Sequence, residues 1–358
     1  MIEVKDKFSA KILSRMKASG HEQVVFCNDK DTGLRAIIAI HDTTLGPALG
    51  GARMWNYINE QEALEDVLRL SRGMTFKAAI SGLDLGGGKA VIIGDADIDK
   101  TKEMMMKFGD FVDSLGGKYI TAEDVGMTLE DMRNVGLSTK HVTGTPESLG
   151  GSGDPSPVTA YGVYMGMKAA GKFKWGSDNL RGRRILIQGV GKVGEDLVKH
   201  VSKELAEVYV TDINEKRLNY VASKYQSKII DQDTIFEVDC DIYAPCALGG
   251  TLNNDSINML KCEVIAGAAN NQLHDEDLHS IQIKKKGIIY APDFLINAGG
   301  LINVYSEIKG YDKNESLQKT SKIYDTTLEI LLTSENKNIT THQAALIIAE
   351  RRISESKK

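Results

Sequence analysis

From residue 184 onward the sequence alternates between short apolar strands and helical patterns. Strands that are separated by helices run parallel, because each helix carries the chain back across the sheet. A parallel sheet of this kind is covered on both faces, so this half of the chain is predicted to be a doubly wound α/β domain. The predicted strands are Arg184–Gln188, Glu207–Asp212, Cys240–Ala244, Val264–Gly267 and Ile288–Ala291.

A glycine-rich turn follows the first of these strands and opens a helix. Its glycines fit the spacing G-x-G-x-x-G, and the next strand ends at Asp212, 18 residues after Gly194. Such glycines allow a tight turn, close approach of a pyrophosphate and close helix–strand packing. A carboxylate at Asp212 accepts hydrogen bonds from an adenosine ribose and repels a 2′-phosphate, which favours NAD over NADP. The predicted cofactor-binding residues here are Gly189, Val190, Gly191, Lys192, Val193, Gly194 and Asp212.

The same turn has a second interpretation, an ordinary strand–helix connection in a chain that contains 35 glycines. The apolar strand before the turn, the helical pattern after it and the position of Asp212 favour the cofactor site. Lys216 and Arg217 follow Asp212 closely and weaken the preference for NAD.

Composition excludes several classes of protein. The net charge of −5, from 44 basic and 49 acidic residues, leaves no basic field for a nucleic acid. No apolar run approaches the ~20 residues of a membrane helix, and the first residues lack the apolar stretch of a signal peptide. The four cysteines contain no C-x-x-C pair and the seven histidines no H-E-x-x-H pattern, so we predict no metal site. A reduced, cytoplasmic protein is expected.

The first half carries two lysines beside glycines. Lys77 ends the segment Gly-Met-Thr-Phe-Lys, and Lys89, 12 residues later, directly follows Gly86–Gly88. Three successive glycines are unfavourable inside a strand or helix and suit a backbone that passes under a ligand. Two lysines at one site each release a proton more readily, so Lys89 can be a general base while Lys77 holds a substrate carboxylate. The alternative is two surface lysines beside a turn.

A pair of carboxylates, Glu123 and Asp124, follows the predicted short strand Tyr119–Thr121. One interpretation is that one of them exchanges a proton with Lys89. The other is that this segment supplies the N-cap of a predicted helix at Thr128–Arg133.

These segments resemble the glutamate/leucine/phenylalanine/valine dehydrogenase family of NAD-dependent amino acid dehydrogenases. The resemblance covers nearly the whole chain in colinear order, and it is closest to the leucine dehydrogenase branch. The matching segments are Gly46–Gly51, Gly73–Lys77, Gly86–Lys89, Thr121–Gly126, Asp241–Gly249, Ala268–Leu273 and Ile296–Gly300.

The resemblance implies a role for each matching residue. Lys77 binds the substrate α-carboxylate, Lys89 is the catalytic base, and Asp124 assists proton transfer. Asn271 hydrogen-bonds the substrate, and Asn270 lies beside the nicotinamide ribose. The other implied cofactor contacts are Thr159, Cys246 and Ala247. The implied substrate pocket consists of Leu49, Gly50, Met74, Ala122, Leu301 and Val304.

The implied reaction is reversible oxidative deamination of an L-amino acid to its 2-oxo acid and ammonia. The apolar pocket favours leucine or another branched-chain substrate and leaves a glutamate side chain without a partner. The alternative substrates within the family are valine, phenylalanine or another aromatic amino acid. Leu301 replaces the smaller valine of leucine enzymes, which reshapes the pocket.

The implied fold has two domains. An N-terminal α/β substrate domain spans residues 1–145, a Rossmann-type NAD domain spans 146–330, and the segment 331–358 returns to the first domain. The boundary is predicted in the Gly/Ser/Pro-rich stretch Thr143–Pro157, a candidate hinge for domain closure. Because family members assemble through the first domain, a homo-oligomer from dimer to octamer is expected.

Two functions outside the family are also considered. A 2-hydroxy acid dehydrogenase needs a histidine paired with an acid, and no histidine stands in such a setting in the sequence. A non-catalytic NAD-binding sensor would have no need of Lys77, Lys89 and Asp124 together.

Overall fold

The computed structural model describes residues 12–145, 148, 150–308 and 310–357. Residues 146, 147 and 149 of the predicted boundary stretch therefore lie outside the described residues. The chain divides into two compact units, each with its own β-sheet. The first contains the described residues up to Ala79, Leu83–Gly151 and the end of the chain from Ser356; the second contains Ile80–Gly82 and Ser152–Glu355.

The first unit is a mixed five-stranded sheet with the order β1-β2-β4-β3-β5. β3, β4 and β5 run parallel, whereas β1 and β2 are antiparallel to their neighbours. Its strands are β1 Gln23–Asn28, β2 Arg35–Asp42, β3 Ala48–Trp55, β4 Gly86–Ile93 and β5 Tyr119–Glu123. Its helices are α1 Ile12–Ser19, α2 Glu60–Ile80, α3 Lys102–Asp113 and α4 Leu129–Val135.

Both faces of this sheet are covered, because successive side chains of a strand point to opposite sides. On one face, Ile38 and Ile92 pack with Phe108 of α3 and Met132 of α4. On the other face, residues such as Val91 pack against the apolar side of α2. The central strand β4 is thereby buried on both sides.

The second unit is built on a parallel six-stranded sheet with the order β11-β10-β9-β6-β7-β8. Its strands are β6 Arg184–Gln188, β7 Glu207–Thr211, β8 Lys228–Ile229, β9 Ile242–Pro245, β10 Val264–Ile265 and β11 Ile289–Tyr290. The helices up to β11 are α5 Ser156–Trp175, α6 Lys192–Lys203, α7 Glu215–Tyr225, α8 Asn254–Met259 and α9 Glu276–Lys285. The later helices are α10 Asp293–Ile296, α11 Gly299–Ile308, α12 Lys313–Ser321, α13 Ile323–Lys337 and α14 Thr341–Glu355.

This strand order is that of a dinucleotide-binding fold. The first strand of the unit, β6, has β7 on one side and the fourth strand, β9, on the other. The direction of the connections reverses between β6 and β9, and ligands bind at the carboxyl ends of the strands at such a point. The predicted doubly wound parallel sheet is confirmed, and every strand predicted in this half is present within a few residues of its expected bounds.

Glycines lie inside two elements of the first unit. Gly50 and Gly51 interrupt the apolar pattern of β3, a strand that was not predicted, and α2 continues through Gly73 to Ile80. Gly73 in the helix interior costs about 1 kcal/mol relative to alanine. Burial of Phe76 and the following apolar residues outweighs that cost.

The observed division of the chain also differs from the expected boundaries. It falls between Gly151 and Ser152 rather than at 145/146, and it keeps α14 with the second unit rather than the first. The reason is packing, because α13 lies against α5, and α14 contacts α13 and α9. In the part of the chain that is described, no helix is both long and apolar enough to cross a membrane.

Candidate functional site

Lys89 lies inside β4, directly after the three glycines. The expectation that these glycines lie outside regular structure is wrong, since Gly86–Gly88 are strand residues. The glycines are needed because other groups come too close for a side chain. A Cβ on Gly87 would lie 2.1 Å from Thr75 Oγ1 of α2, and one on Gly88 would lie 2.7 Å from the ring of Tyr119. Close packing therefore brings α2 and β5 against the strand that carries Lys89.

Asp124 is the partner of Lys89. It directly follows β5, and its Oδ2 lies 2.6 Å from Lys89 Nζ, whose side chain is only 8% exposed. Burial alone would raise the pKa of Asp124, but the positive charges of Lys89 and Arg53 outweigh it and hold that pKa below its usual range. The structure thus joins a buried amine and an ionised carboxylate in one ion pair.

The alternative interpretation, an Asp or a Thr as the N-cap of α4, is confirmed for the threonine, and Asp124 is not the cap. Thr128 caps α4: its side chain accepts a hydrogen bond from the Asp131 backbone amide, and Asp131 Oδ2 accepts one from the Thr128 amide at 2.8 Å. Lys100 Nζ also binds Asp131 at 2.8 Å and donates to the Gly126 carbonyl oxygen at 2.8 Å. These contacts fix the loop that carries Asp124 and leave its carboxylate to Lys89.

Arg53, a residue of β3 that the sequence analysis did not select, binds the same carboxylate. Its Nε donates to Asp124 Oδ2 at 3.2 Å, and its Nη1 lies 3.0 Å from Asp66 Oδ2 on α2. Asp66 also accepts hydrogen bonds from the Tyr57 hydroxyl at 2.7 Å and from Arg69 at 2.9 Å. Arg53 is therefore held between two carboxylates on opposite sides of its guanidinium.

The remaining predicted residues of the first unit lie on the neighbouring elements. Lys77 and Met74 are half-buried on α2, whose Thr75 contacts β4 at Gly87. Gly50 lies in β3, where a Cβ would come within 1.7 Å of the Gly88 carbonyl oxygen, so only glycine fits. The buried apolar positions of the predicted pocket in this unit are Leu49 and Ala122.

The glycine-rich turn of the second unit connects β6 to α6. Gly189 has a φ of 95°, a conformation that favours glycine, and a Cβ on Gly194 would lie 2.0 Å from the Gly189 carbonyl oxygen. By contrast, a Cβ on Gly191 would meet nothing within 4 Å. Gly191 is the N-cap of α6 and has no side chain to occupy the first amides of the helix. The turn therefore fits a dinucleotide pyrophosphate at a helix N-terminus.

Asp212, at the end of β7, is bonded to that turn. Its Oδ2 accepts a hydrogen bond from the Val190 amide at 2.7 Å, and its Oδ1 accepts one from Asn214 at 2.8 Å. The nearby Arg217 donates to the Val190 carbonyl oxygen at 2.8 Å and forms an ion pair with Glu195 at 2.6 Å. Glu195, which the sequence analysis missed, thus pairs with Arg217, one of the two cations that were expected to weaken the preference for NAD. The other, Lys216, is exposed.

The end of β9 lies against the glycine turn. A Cβ on Gly189 would come within 2.9 Å of Ala247. Cys246 is half-buried, its Sγ accepts a hydrogen bond from the Ala268 amide at 3.4 Å, and burial raises its pKa to about 12, so the thiol is neutral. Ile213 and Leu248 follow Asp212 and Ala247 and are 85% and 80% exposed. Exposed apolar side chains at the carboxyl ends of β7 and β9 suit the faces of an adenine ring.

The other predicted residues of the second unit lie on the loop after β10 and on two helices. Asn270 Oδ1 accepts a hydrogen bond from Asn297 at 2.8 Å. Asn271 is exposed and has a φ of 51°, a left-handed conformation that asparagine tolerates. Thr159 is half-buried on α5, and its hydroxyl donates to the Pro155 carbonyl oxygen at 3.0 Å. The two pocket positions on α11 are the buried Leu301 and the half-buried Val304.

Comparison with known families agrees with this geometry. A family model described as "Glu/Leu/Phe/Val dehydrogenase, dimerisation domain" matches residues 21–141, and one described as "Glutamate/Leucine/Phenylalanine/Valine dehydrogenase" matches residues 204–358. The chain belongs to this family. Members are NAD(P)-dependent dehydrogenases, and this one is an oxidoreductase that deaminates an amino acid oxidatively.

Relatives of this family member cover nearly its whole length. It is 54% identical to the leucine dehydrogenase of Bacillus subtilis over 338 residues, which are 94% of this chain and 93% of that enzyme. It is 49% identical to the phenylalanine dehydrogenase of Bacillus thermotolerans over 342 residues, 94% of this chain and 89% of that enzyme. The crystal structure of L-tryptophan dehydrogenase from Nostoc punctiforme has a TM-score of 0.87 at 45% identity and covers 96% of this chain and 99% of that one.

These comparisons confirm the predicted family, the two-domain α/β fold and the amino acid dehydrogenase class. The assignment of individual site residues and the role of each domain stay predictions. Within those predictions, the structure joins Lys89 to Asp124 and the glycine turn to Asp212.

Proposed function

We propose that this family member is an NAD-dependent dehydrogenase of branched-chain amino acids, with leucine as the preferred substrate. The observation that carries the proposal is the Lys89–Asp124 ion pair at 2.6 Å, in the same sheet as the buried apolar residues Leu49 and Ala122. Relatives named leucine dehydrogenase at 50–54% identity over most of the chain support the substrate class.

The proposed roles follow from charge and position. Lys77 pairs with the α-carboxylate of the substrate. NAD, when bound, accepts the hydride from Cα and leaves an imino acid. Lys89 then removes a proton from a water molecule that attacks the imine carbon, and Asp124 stabilises the ammonium that forms on Lys89. Lys89 returns this proton to the nitrogen of the carbinolamine. The C–N bond then breaks and releases ammonia, while the proton of the carbinolamine hydroxyl passes to Lys89, which leaves the 2-oxo acid.

NAD is proposed over NADP because Asp212 carries a negative charge next to the glycine turn, and because two of the three nearby cations are paired while the third, Lys216, is exposed to solvent. Arg217 is paired with Glu195 at 2.6 Å, and Lys224 binds the same carboxylate at 2.9 Å. Neither cation is left to attract a 2′-phosphate, whereas Asp212 repels one. Ile213 and Leu248 are proposed to contact the adenine.

The proposed pocket residues favour an apolar substrate side chain. A charged side chain such as that of glutamate would lose its hydration there without gaining a partner. A larger aromatic substrate is the second candidate, since relatives of similar identity are named phenylalanine and tryptophan dehydrogenases. One methylene changes discrimination by only about 1–3 kcal/mol, so the choice rests on measurement.

The test is reduction of NAD by the purified protein with leucine, isoleucine, valine, phenylalanine, tryptophan and glutamate. We expect the highest kcat/KM with leucine and none detectable with glutamate. If kcat/KM is higher with phenylalanine or tryptophan than with leucine, the preferred substrate is an aromatic amino acid and not leucine. No reduction with any of them would overturn the proposal in favour of an NAD-binding sensor.

A homo-oligomer assembled through the first unit is also proposed. Its support is the description of the model that matches residues 21–141 as a dimerisation domain. Light scattering after size exclusion should give a multiple of 39.1 kDa. A mass of one chain at micromolar concentration would contradict it. A cytoplasmic location stays a prediction from the sequence.

A further inference from the structure

Arg53 is a buried cation that the proposed reaction does not yet use. It lies in the middle of β3, and its side chain is only 22% exposed. Burial of a guanidinium is costly unless it is fully paired, and here it is paired on two sides. Asp124 lies at 3.2 Å and Asp66 at 3.0 Å. The arrangement is a chain of alternating charges from Lys89 through Asp124 and Arg53 to Asp66.

Two cations share a single oxygen in this chain. Lys89 Nζ and Arg53 Nε both contact Oδ2 of Asp124, at 2.6 and 3.2 Å. A carboxylate that belonged to Lys89 alone would strongly favour the protonated amine, since opposite charges at this distance stabilise the charged form. A base must release its proton at the working pH. The positive charge of Arg53 opposes the effect of Asp124.

We propose that Arg53 is a positioning residue for the reaction: it fixes the carboxylate of Asp124 toward Lys89 and offsets part of its negative charge, so that Lys89 is deprotonated at a lower pH than beside Asp124 alone. The proposal rests on the proposed role of Lys89 as the base. Asp66, Tyr57 and Arg69 hold Arg53 in place and do not contact Lys89 through any bond described above.

Other ionisable groups lie on the elements that surround β4. His41 on β2 is bonded to Thr75, and burial lowers its pKa, so it is neutral near pH 7. The Tyr119 hydroxyl on β5 donates to the Gly50 carbonyl oxygen, and burial raises its pKa, so it is neutral as well. Lys77 on α2 is a second cation that acts in the same direction as Arg53.

Besides the acidic residues of α2, the acidic groups on the strands next to Lys89 and on the loop before β4 are Asp42, Glu123 and Asp84. Asp42 lies opposite Gly87 and 3.6 Å from Lys357 Nζ. Glu123 is exposed at the end of β5, and Asp84 precedes β4. Removing Arg53 leaves these acidic groups unchanged and takes away one of the two cations that contact Asp124 Oδ2.

The experiment is the pH dependence of kcat with saturating leucine and NAD, for wild type, Arg53→Met, Arg53→Lys and Arg133→Met. Saturation removes the ionisation of free substrate from the profile. Arg133 is a matched control, because it is an exposed arginine of the same unit paired only with Glu130 in the contacts described, at 3.1 Å. Circular dichroism and thermal unfolding establish that each variant is folded.

We expect Arg53→Met to move the pH of half-maximal kcat upward by about one pH unit or more, as the loss of one nearby charge predicts. Its kcat should fall about tenfold on the acid side, since each pH unit changes the deprotonated fraction tenfold. At high pH it should recover toward wild type. In Arg53→Lys, which keeps the charge, the pH of half-maximal kcat should move less than in Arg53→Met. In Arg133→Met it should not move.

Two results would overturn the inference. One is an unchanged profile in Arg53→Met, and the other is an equal loss of kcat at every pH, which marks a purely structural role. If Arg53→Met does not fold, Arg53→Gln, which also removes the charge, takes its place. The same upward shift of the pH of half-maximal kcat is then required, and its absence contradicts the inference. A wild type without activity on any amino acid would instead overturn the proposed function and this inference with it.

Discussion

Lys89 is a lysine that folding alone does not require. Removing an ammonium from water is expensive, and a buried ion pair recovers that cost only with good geometry. Here the amine has a single described charged partner, Asp124 at 2.6 Å, which directly follows β5, the strand on the far side of β3. A residue retained at such a position is a candidate for chemistry, because its charge state is sensitive to every neighbouring group.

Replacing Lys89 by alanine should abolish most of the activity while leaving the cofactor bound. Loss of a general base lowers kcat by about 10²–10⁴-fold. The NAD dissociation constant, measured by fluorescence titration, should change little, since Lys89 belongs to the first unit and the glycine turn to the second. Full turnover by Lys89→Ala would contradict the role of Lys89 as the base.

Asp212→Asn should weaken the discrimination against NADP. In the wild type the Val190 amide donates a hydrogen bond to the Asp212 carboxylate at 2.7 Å. The asparagine keeps an oxygen that can accept this bond, but it has no negative charge. We expect the ratio of NADP to NAD dissociation constants to fall by at least about tenfold, which corresponds to about 1.4 kcal/mol. Calorimetric titration with each cofactor measures it. Asp110→Asn, an exposed position of α3, is the control, and an equal ratio in both variants would refute the role of Asp212.

At the scale of elements, two glycines of the same turn should respond oppositely to alanine. Gly191→Ala places its methyl group in open space, so the protein should fold normally but bind NAD more weakly, because the methyl group obstructs the pyrophosphate. Gly194→Ala brings its Cβ within 2.0 Å of the Gly189 carbonyl oxygen, so it should lower the unfolding temperature. Thermal unfolding and NAD titration of both variants test this. Equal thermal stability of the two would show that the turn adjusts freely.

How far the elements follow from the sequence differs between the two units. In the second, apolar strands alternate with helical patterns, and the period of the pattern alone predicts a parallel sheet. In the first, β3 and β4 contain glycines whose reason lies in distant residues. Gly87 is small because Thr75 lies against it, and Gly50 because β4 does. Local propensity cannot predict a strand whose glycines are required by tertiary contacts.

The candidate site divides in the same way. Lys89 and Asp212 stand beside glycine motifs, and a motif is readable from one sequence. Arg53 and Glu195 act through partners 71 and 22 residues away, Asp124 and Arg217. Arg53 stands out in the sequence as an arginine in an otherwise apolar strand, but its partner depends on the order of the strands in the sheet. No local pattern in the sequence marks Glu195.

At the scale of the whole molecule, buried histidines make stability depend on pH. Burial, followed by repulsion from His41, lowers the pKa of His21 from the usual 6.5 to about 4. The two rings lie 4.8 Å apart, and His21 is bonded to Ser19, Ser71 and the Leu68 carbonyl oxygen. The unfolded chain takes up a proton near pH 6.5, whereas the folded chain resists until about pH 4.

The stabilisation from neutral His21 is therefore complete above pH 6.5 and is lost as the pH falls toward 4. We expect the free energy of unfolding to drop by up to about 3 kcal/mol over this range. At pH 7 the free energy of unfolding of His21→Gln should be lower than that of wild type. Between pH 7 and 4, however, it should change less with pH. Chemical unfolding at several pH values measures this, and His274→Gln, an exposed position, is the control. A slope in His21→Gln as steep as in wild type would contradict the assignment.

The strand order also dictates when each sheet can assemble as the chain leaves the ribosome. Strand pairs far apart in sequence form slowly, because a long loop must close first. All strands of the first sheet are present once Glu123 has emerged. The central pair of the second sheet, β6 and β9, must wait for Pro245, with two strands and two helices made in between. During that interval the backbone N–H and C=O groups on one edge of β6 are unpaired, and its apolar side chains are not yet covered. The nascent chain should therefore need protection by chaperones mainly while residues 189–245 are being synthesised.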